Sequence, residues 1–157
     1  MMRAAFQILA IPYRMVDGRP LYCILRRADS DDWQFIAGGG EDDETPLQAA
    51  IREIDEEGGV TADDIIPLQS VCSIPAEHFP KRHLYRWPED TYVLPEYSFG
   101  FDCKGEIRLS REHTEYLWLP YEEARAKLKW DSNRTALYEF HHRLKNQETP
   151  GGNACSL

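Results

Sequence analysis

The chain has 157 residues, the length of one ordinary domain, and 42% of them are hydrophobic, so a sizeable core can form. Its formal net charge of −9 argues against nucleic-acid or membrane-surface partners, because both attract basic proteins. The apolar run 4–11 is too short to span a bilayer and carries no signal-peptide pattern, so we expect a cytoplasmic protein. Four widely spaced cysteines indicate reduced thiols rather than a zinc site or a disulfide framework: Cys23, Cys72, Cys103 and Cys155.

The first third of the chain predicts β-strands. Residues 6–11 and 21–27 are apolar and β-compatible, and Asp17-Gly18 marks a turn between them. A short strand over 33–37 follows, and we expect the three glycines at 38–40 to interrupt it.

The clearest helix begins after these glycines. Thr45 is its predicted N-cap, Pro46 suits the first helical position, and Gln48 completes a capping box. Gly58-Gly59 ends the helix, since glycine readily adopts the left-handed conformation. Helical spacing predicts a buried apolar stripe that consists of Leu47, Ala50, Ile51 and Ile54.

The remaining chain predicts strands and two helices around a long loop over 75–95. The strands are predicted at 65–74, 97–103 and 116–119, and the helices at 121–129 and 133–145. This mixed order favours an α/β sandwich with a mixed sheet. We expect one domain over 1–146 and a disordered tail over 147–157.

Three glutamates dominate the end of the first helix. Glu53, Glu56 and Glu57 stand at i, i+3 and i+4 and therefore share one face. They lie in the last turn, where the helix dipole disfavours negative charge, and like charges at this spacing cost roughly 0.2–0.5 kcal/mol each. A hard cation at this face would explain the cluster, and oxygen-only ligands favour Mg²⁺ or Mn²⁺ over zinc. A solvated acidic face is the alternative.

Residues near the cluster suggest supporting roles. Gly38 and Gly39 allow a sharp turn from strand to helix and a close approach of backbone to a phosphate. Arg52 lies beside the cluster and can pair with Glu44, which would hold the preceding loop against the helix. A metal ion at the cluster would neutralise phosphate oxygens and activate a water molecule.

The segment 38–60 resembles the Nudix box, G-x5-E-x7-R-E-U-x-E-E-x-G-U with U aliphatic, at every fixed position. The matching residues are Gly38, Glu44, Arg52, Glu53, Ile54, Glu56, Glu57, Gly59 and Val60. The resemblance implies a Nudix-type α/β/α sandwich with a mixed sheet and hydrolysis of a phosphoric anhydride. It also implies that Glu53, Glu56 and Glu57 bind the metal, with Glu56 central. Non-catalytic Nudix sensors typically replace one of these carboxylates, and this chain replaces none.

The flanks, at 25–34 and 112–134, are similar to the dihydroneopterin triphosphate pyrophosphatase group, also called dATP pyrophosphohydrolases. In that group a late-loop glutamate joins the metal site, and Glu112 occupies the matching position. The same resemblance places Arg26 and Arg27 near the phosphates and Trp33 near the base or pterin. Because strand side chains alternate, we expect one of the two arginines to contact phosphate. A core position is the alternative for Trp33.

These patterns predict a Mg²⁺-dependent (or Mn²⁺-dependent) enzyme, a monomer or homodimer, that acts on a small nucleotide-like molecule. We expect water, oriented by Glu56 or Glu112, to release pyrophosphate and a monophosphate from a deoxynucleoside triphosphate or dihydroneopterin triphosphate. Cleavage of ADP-ribose or a related diphosphate is the second hypothesis, favoured by Pro75 about fifteen residues past the box. A ligand sensor is the third.

The long loop and two tryptophans give further predictions. The long loop carries a basic cluster, Lys81-Arg82-His83 with His78 and Arg86, which is either a solvated segment or a lid whose charge offsets a triphosphate. Trp118 and Trp130 are expected in the core.

Overall fold

A mixed seven-stranded sheet forms the centre of the fold in the computed structural model, which describes residues 2–147. The strands are β1 (Arg3–Val16), β2 (Arg19–Arg27), β3 (Trp33–Gln34), β4 (Ile36–Glu41), β5 (Asp63–Pro75), β6 (Val93–Asp102) and β7 (His113–Leu119). The helices are α1 (Pro46–Gly58), α2 (Tyr121–Lys127) and α3 (Asp131–Gln147), and two 3₁₀ helices span Ala76–His78 and Arg82–Leu84. The predicted tail lies outside the described residues except for Gln147, which ends α3.

Strand β1 is long enough to organise the sheet. It pairs antiparallel with β2 and β4 and parallel with β6, while β5 adds to β6 and both β3 and β7 add to β2. The predicted turn at Asp17-Gly18 connects β1 to β2, and its two residues have φ values of 51° and 78°. Positive φ at both central positions matches the twist of a two-residue hairpin.

The sheet is buried on both faces. On β2, Tyr22 and Ile24 join a core cluster with α2 and α3, whereas Cys23 and Leu25 join a cluster on the opposite face with Ile54 of α1. This alternation confirms the predicted sandwich of helices around a mixed sheet. Among the helices of the described chain, none combines the length and apolarity needed to cross a membrane.

Helix α1 has the predicted ends but a different buried face. Thr45 caps it with Gln48 in a capping box, and Gly59 follows in the left-handed conformation. The predicted stripe is wrong at Leu47 and Ile51, which are 42% and 49% exposed. The buried positions are Ala49, Ala50, Glu53, Ile54, Glu57 and Gly58. The small alanines let α1 approach the sheet closely, and this orientation turns two carboxylates inward.

Strand β4 corrects a second expectation. The glycines at 38–40 do not interrupt the strand, because β4 continues through them and pairs with β1 through Ile8↔Gly38 and Gln7↔Gly39. A Cβ at Gly40 would overlap the ring of Phe6, so the absence of side chains permits close packing here. The expected core position of Trp130 is also wrong, since this residue is 46% exposed. It lies just before α3, which begins at Asp131.

We expect Gly100→Ala to destabilise the fold, because Gly100 lies on β6 where a Cβ would overlap the ring of buried Phe140. Overpacking a rigid core costs typically about 1–3 kcal/mol. Urea unfolding measures the loss. Gly105→Ala is the matched control, since its Cβ would meet Val60 only at 3.4 Å. Equal stability of the two variants would contradict this account of the core.

Candidate active site

Arg52 lies at the centre of a hydrogen-bond network that joins α1 to β4. Its guanidinium donates to both carboxylate oxygens of Glu44, at 2.8 and 3.0 Å, and to the carbonyl of Gly39 at 2.8 Å. The remaining nitrogen, Nη1, donates to Glu53 at 3.0 Å and to Glu56 at 3.2 Å. Because one rigid group bonds in several directions, the strand, the connecting loop and the helix are fixed relative to one another.

Glu53 is buried against β4. Its residue is 7% exposed, and a Cβ on Gly38 would overlap its carboxylate, so only glycine leaves room at this position. Burial raises the pKa of Glu53 to about 7, although Arg52 opposes this change. The neighbouring charges of Glu56 and Glu57 raise the pKa further. The fold therefore holds this carboxylate at a position where the surrounding protein does not fully offset the cost of burying its negative charge.

Glu57 lies in a second group of ionisable side chains. Ser110 donates to its Oε2 at 3.0 Å, and Nδ1 of the buried His113 lies 3.1 Å from the same oxygen. Burial by itself would raise the pKa of Glu57, but His113, Glu112 and Ser110 outweigh it, and the pKa is lowered. Conversely, the contact with Glu57, followed by burial, raises the pKa of Glu112. The pKa values of the two carboxyl groups thus move in opposite directions, as expected for neighbouring carboxyl groups, and Glu112 lies beside the α1 carboxylates.

The chemistry of this donor set fits a hard divalent cation. Glu53, Glu56 and Glu57 share a helix face, Glu112 contacts Glu57, and all four provide carboxylate oxygens. Within residues 2–147, however, no group of three or more His, Cys, Asp or Glu side chains is assembled as a metal site. In the described chain, Glu53 and Glu56 accept hydrogen bonds from Arg52, and Glu57 accepts one from Ser110.

These carboxylates face a cavity of about 880 Å³. The predicted site residues that line it are Arg27, Gly38, Glu53, Glu56, Glu57 and Glu112. Arg26 instead points towards Asp31 and Glu115, at 3.3 and 3.9 Å. Of the two neighbouring arginines, the structure therefore brings Arg27 to the cavity.

Three predicted residues lie beside the cavity rather than on its wall. Trp33 packs against the core cluster of α2 and α3, with Lys127 Nζ 5.9 Å from the ring centre. Gly39 contributes its carbonyl to Arg52, and Glu44 binds the same guanidinium. The placement of Trp33 therefore matches the core alternative, and Gly39 and Glu44 support the site through Arg52.

Several cavity residues have no signal in the sequence pattern. Arg3 of β1 has its guanidinium carbon 5.8 Å from the ring centre of Phe79 and 6.0 Å from that of Tyr85. Its buried Nε has no hydrogen-bond partner among the described residues. Further examples on the wall are Gln7, Glu41, Glu96, Trp130 and Phe79. His78 also lines the cavity, and it belongs to the basic loop cluster that the sequence had already indicated. They come from segments far apart in sequence, so spacing alone could not group them.

The sequence that forms this site matches a known family of domains. The NUDIX domain model matches residues 8–140. The chain belongs to the Nudix hydrolase family. The dihydroneopterin triphosphate diphosphatase of Escherichia coli K12 is 31% identical over 136 residues, covering 85% of this chain and 89% of the relative. The asymmetrical bis(5'-nucleosyl)-tetraphosphatase of Sus scrofa is 30% identical over 132 residues, covering 82% and 84%.

A solved structure agrees with the Nudix assignment. The crystal structure of a protein described as a NUDIX hydrolase from Listeria monocytogenes is 43% identical and superposes with a TM-score of 0.80. It covers 92% of this chain, which in turn covers 97% of that protein. The predicted Nudix fold is therefore confirmed over nearly the whole length of the chain.

We expect Arg52→Lys to destabilise this Nudix domain by about 1–3 kcal/mol in EDTA, because lysine cannot replace the two-pronged bond to Glu44 and leaves buried acceptors unpaired. Urea unfolding measures the loss. Arg125→Lys, at an exposed position of α2, is the matched control and should change stability little. An Arg52→Lys protein as stable as the control would show that the network does not hold α1 on the sheet.

Glu96 gives a pH-dependent prediction. Burial raises its pKa to about 7, and the Ser132 hydroxyl only partly offsets this. The folded state therefore binds a proton more tightly than the unfolded state, so this residue lowers stability as pH rises from about 4.5 to 7. Glu96→Gln should be more stable than wild type at pH 8, by on the order of 1–3 kcal/mol, and equal at pH 4. Urea unfolding in EDTA at both pH values tests this, and a less stable variant at pH 8 would contradict the sign.

Proposed function

We propose that this chain is a Mg²⁺-dependent (or Mn²⁺-dependent) pyrophosphohydrolase of a nucleoside-triphosphate-like substrate, either a deoxynucleoside triphosphate or dihydroneopterin triphosphate. Water attacks phosphorus, the bond between the α- and β-phosphate groups breaks, and the products are a monophosphate and pyrophosphate. We also retain the predictions of a cytoplasmic protein, monomeric or homodimeric, with one domain over 1–146.

The observation that carries this proposal is a buried acidic cluster that opens into a cavity with two arginines on its wall. Glu53 and Glu57 are 7% and 6% exposed, and they share the cavity with Arg3 and Arg27. Acidic side chains by themselves would repel a triphosphate. A divalent cation bound to them would reverse the local charge and help to activate water.

The protein groups divide the remaining work. Arg3 and Arg27 place two guanidinium groups on the cavity wall, which suits the phosphate chain. Arg27 is ion-paired with Asp29 on the same wall, at 2.8 and 2.9 Å, so a phosphate oxygen would have to share or replace that contact. Gly38 keeps the wall open beside Glu53. Two carboxylates are candidates for the group that orients or deprotonates water. Glu56 has a half-exposed side chain, at 53%, and Glu112 has a raised pKa through its contact with Glu57.

The named relatives support this substrate class. One is a dihydroneopterin triphosphate diphosphatase and the other cleaves bis(5'-nucleosyl) tetraphosphates, as their names state. Both kinds of molecule join a ring system to a phosphate chain. ADP-ribose hydrolysis remains the second hypothesis, because Pro75 lines the same cavity.

A substrate panel tests the proposal directly. We would measure phosphoric anhydride cleavage with Mg²⁺ for dihydroneopterin triphosphate, the common deoxynucleoside triphosphates, bis(5'-adenosyl) tetraphosphate and ADP-ribose. The proposal requires a preference for a triphosphate, with pyrophosphate as a product and loss of activity in EDTA. Preferred release of AMP from ADP-ribose would favour the second hypothesis, and binding without cleavage throughout would favour a sensor.

We expect Glu56→Gln to lower kcat by about 10²- to 10⁴-fold, as removal of a group that assists proton transfer typically does. Steady-state kinetics on the preferred substrate measures the change. Glu123→Gln, at an exposed position of α2, is the matched control and should retain wild-type kcat. Thermal unfolding establishes that both variants are folded. Wild-type turnover by Glu56→Gln would remove this residue from the mechanism and leave Glu112 as the candidate.

A further inference from the structure

The cavity contains a carboxylate that the Nudix box does not account for. Glu96 lies on β6, is 7% exposed, and lines the same cavity as the box glutamates. Its hydroxyl partner is Ser132 at the start of α3. Among the described residues, the group that favours its ionised form is the Ser132 hydroxyl, and no ion pair with lysine, arginine or histidine offsets its burial. A buried carboxylate without a cation is costly, which suggests that a ligand provides its missing partners.

The sheet register fixes the position of Glu96 relative to the box. Gln7 pairs with Gly39 on one side and with Glu96 on the other, and Glu96 pairs with Cys72 on β5. In-register partners share a sheet face, and Gln7, Glu96 and Cys72 all line the cavity. Since neighbouring strands lie about 4.8 Å apart, the backbones of Glu96 and Gly39 are roughly 10 Å apart. A nucleotide spans a similar distance between its α-phosphate and the far edge of its ring.

Charge determines which end of a substrate can reach Glu96. A phosphate group there would meet a second negative charge with no arginine beside it. Hydrogen-bond donors are suited to the site, because an ionised carboxylate accepts bonds and donates none. The Ser132 hydroxyl uses only part of the hydrogen-bond accepting capacity of the Glu96 carboxylate. The remaining acceptor positions are available to a ligand in the cavity that Glu96 lines.

An aromatic side chain lies on the wall of the same cavity. Trp130 immediately precedes α3, lines the cavity, and is 46% exposed although its indole is large and apolar. Lys129 Nζ lies 5.8 Å from the centre of the indole ring. A half-exposed indole beside the polar cavity residues suits a flat ligand ring, which could stack on the indole and form hydrogen bonds with the polar groups.

We propose that Glu96 is a specificity-determining residue that accepts hydrogen bonds from adjacent ring N–H and amino groups of the substrate. Adjacent donors of this kind occur on the 2-amino-4-oxo-pyrimidine edge, which guanine and pterin rings share. This inference rests on the proposed function, because it assumes that the phosphate chain lies at the box. With Glu96 in this role, dATP and the pyrimidine nucleotides bind more weakly than dGTP or a pterin triphosphate, because they lack this pair of adjacent donors.

The test compares dGTP with dITP, which differs by the absence of the 2-amino group. Calorimetry at pH 8 with Mg²⁺ and α,β-methylene analogues measures binding without cleavage. Wild type should bind the dGTP analogue about 10- to 100-fold more tightly, the range expected for a bond to a charged group. Glu96→Gln should reduce this preference to near 1, since its amide would present a donor to one of the ligand donors. Glu123→Gln should keep the wild-type ratio.

The outcomes separate this inference from the proposed function. Equal affinity for the two analogues in wild type, weak binding of both, or an unchanged ratio in Glu96→Gln would overturn the role of Glu96. Discrimination that depends on Glu96 in a protein unable to cleave dGTP or dihydroneopterin triphosphate would support the inference and reject the proposed function. Circular dichroism and thermal unfolding verify that Glu96→Gln is folded.

Discussion

The inward orientation of the α1 carboxylates is the constraint on which the rest of the site depends. The helix leaves Leu47 and Ile51 half-exposed and buries Glu53 and Glu57, the reverse of the burial that hydrophobicity alone favours. Arg52 makes this arrangement tolerable, because its guanidinium bonds to Glu44, Glu53, Glu56 and the Gly39 carbonyl at once. One arginine does not neutralise the whole cluster, and burial still raises the pKa of Glu53 to about 7. The site therefore retains negative charge that a divalent cation would stabilise.

The sequence predicts those parts of the fold that depend on local chemistry. The cap at Thr45, the glycine after α1 and the hairpin at Asp17-Gly18 agree with the structure. The errors occur where tertiary packing overrides a local pattern. Glycines usually end strands, but in β4 they let Phe6 pack closely against the strand. Helical spacing on α1 predicted a different apolar stripe, whereas in the structure Ala49 and Ala50 are among the residues that α1 buries.

The candidate site shows the same division between local and long-range information. The box carboxylates are recognisable because they lie within one helical turn. Glu96, Arg3 and Trp130 are not, because they reach the cavity from β6, β1 and the segment before α3. Their grouping depends on the parallel pairing of β1 with β6, a contact between segments some 90 residues apart. The carboxylates proposed for cleavage can thus be found from a short stretch of sequence. The cavity that would receive the ring forms only when distant segments pair in the sheet.

The most direct test of the carboxylate account is thermal unfolding with and without Mn²⁺, in wild type and in Glu53→Gln/Glu57→Gln. If a divalent cation offsets the repulsion between the buried carboxylates, Mn²⁺ should raise the Tm of wild type by several degrees. The double variant should lose the Mn²⁺-dependent rise, because it lacks two of the carboxylates proposed to hold the cation. An equal rise in both proteins would contradict the account.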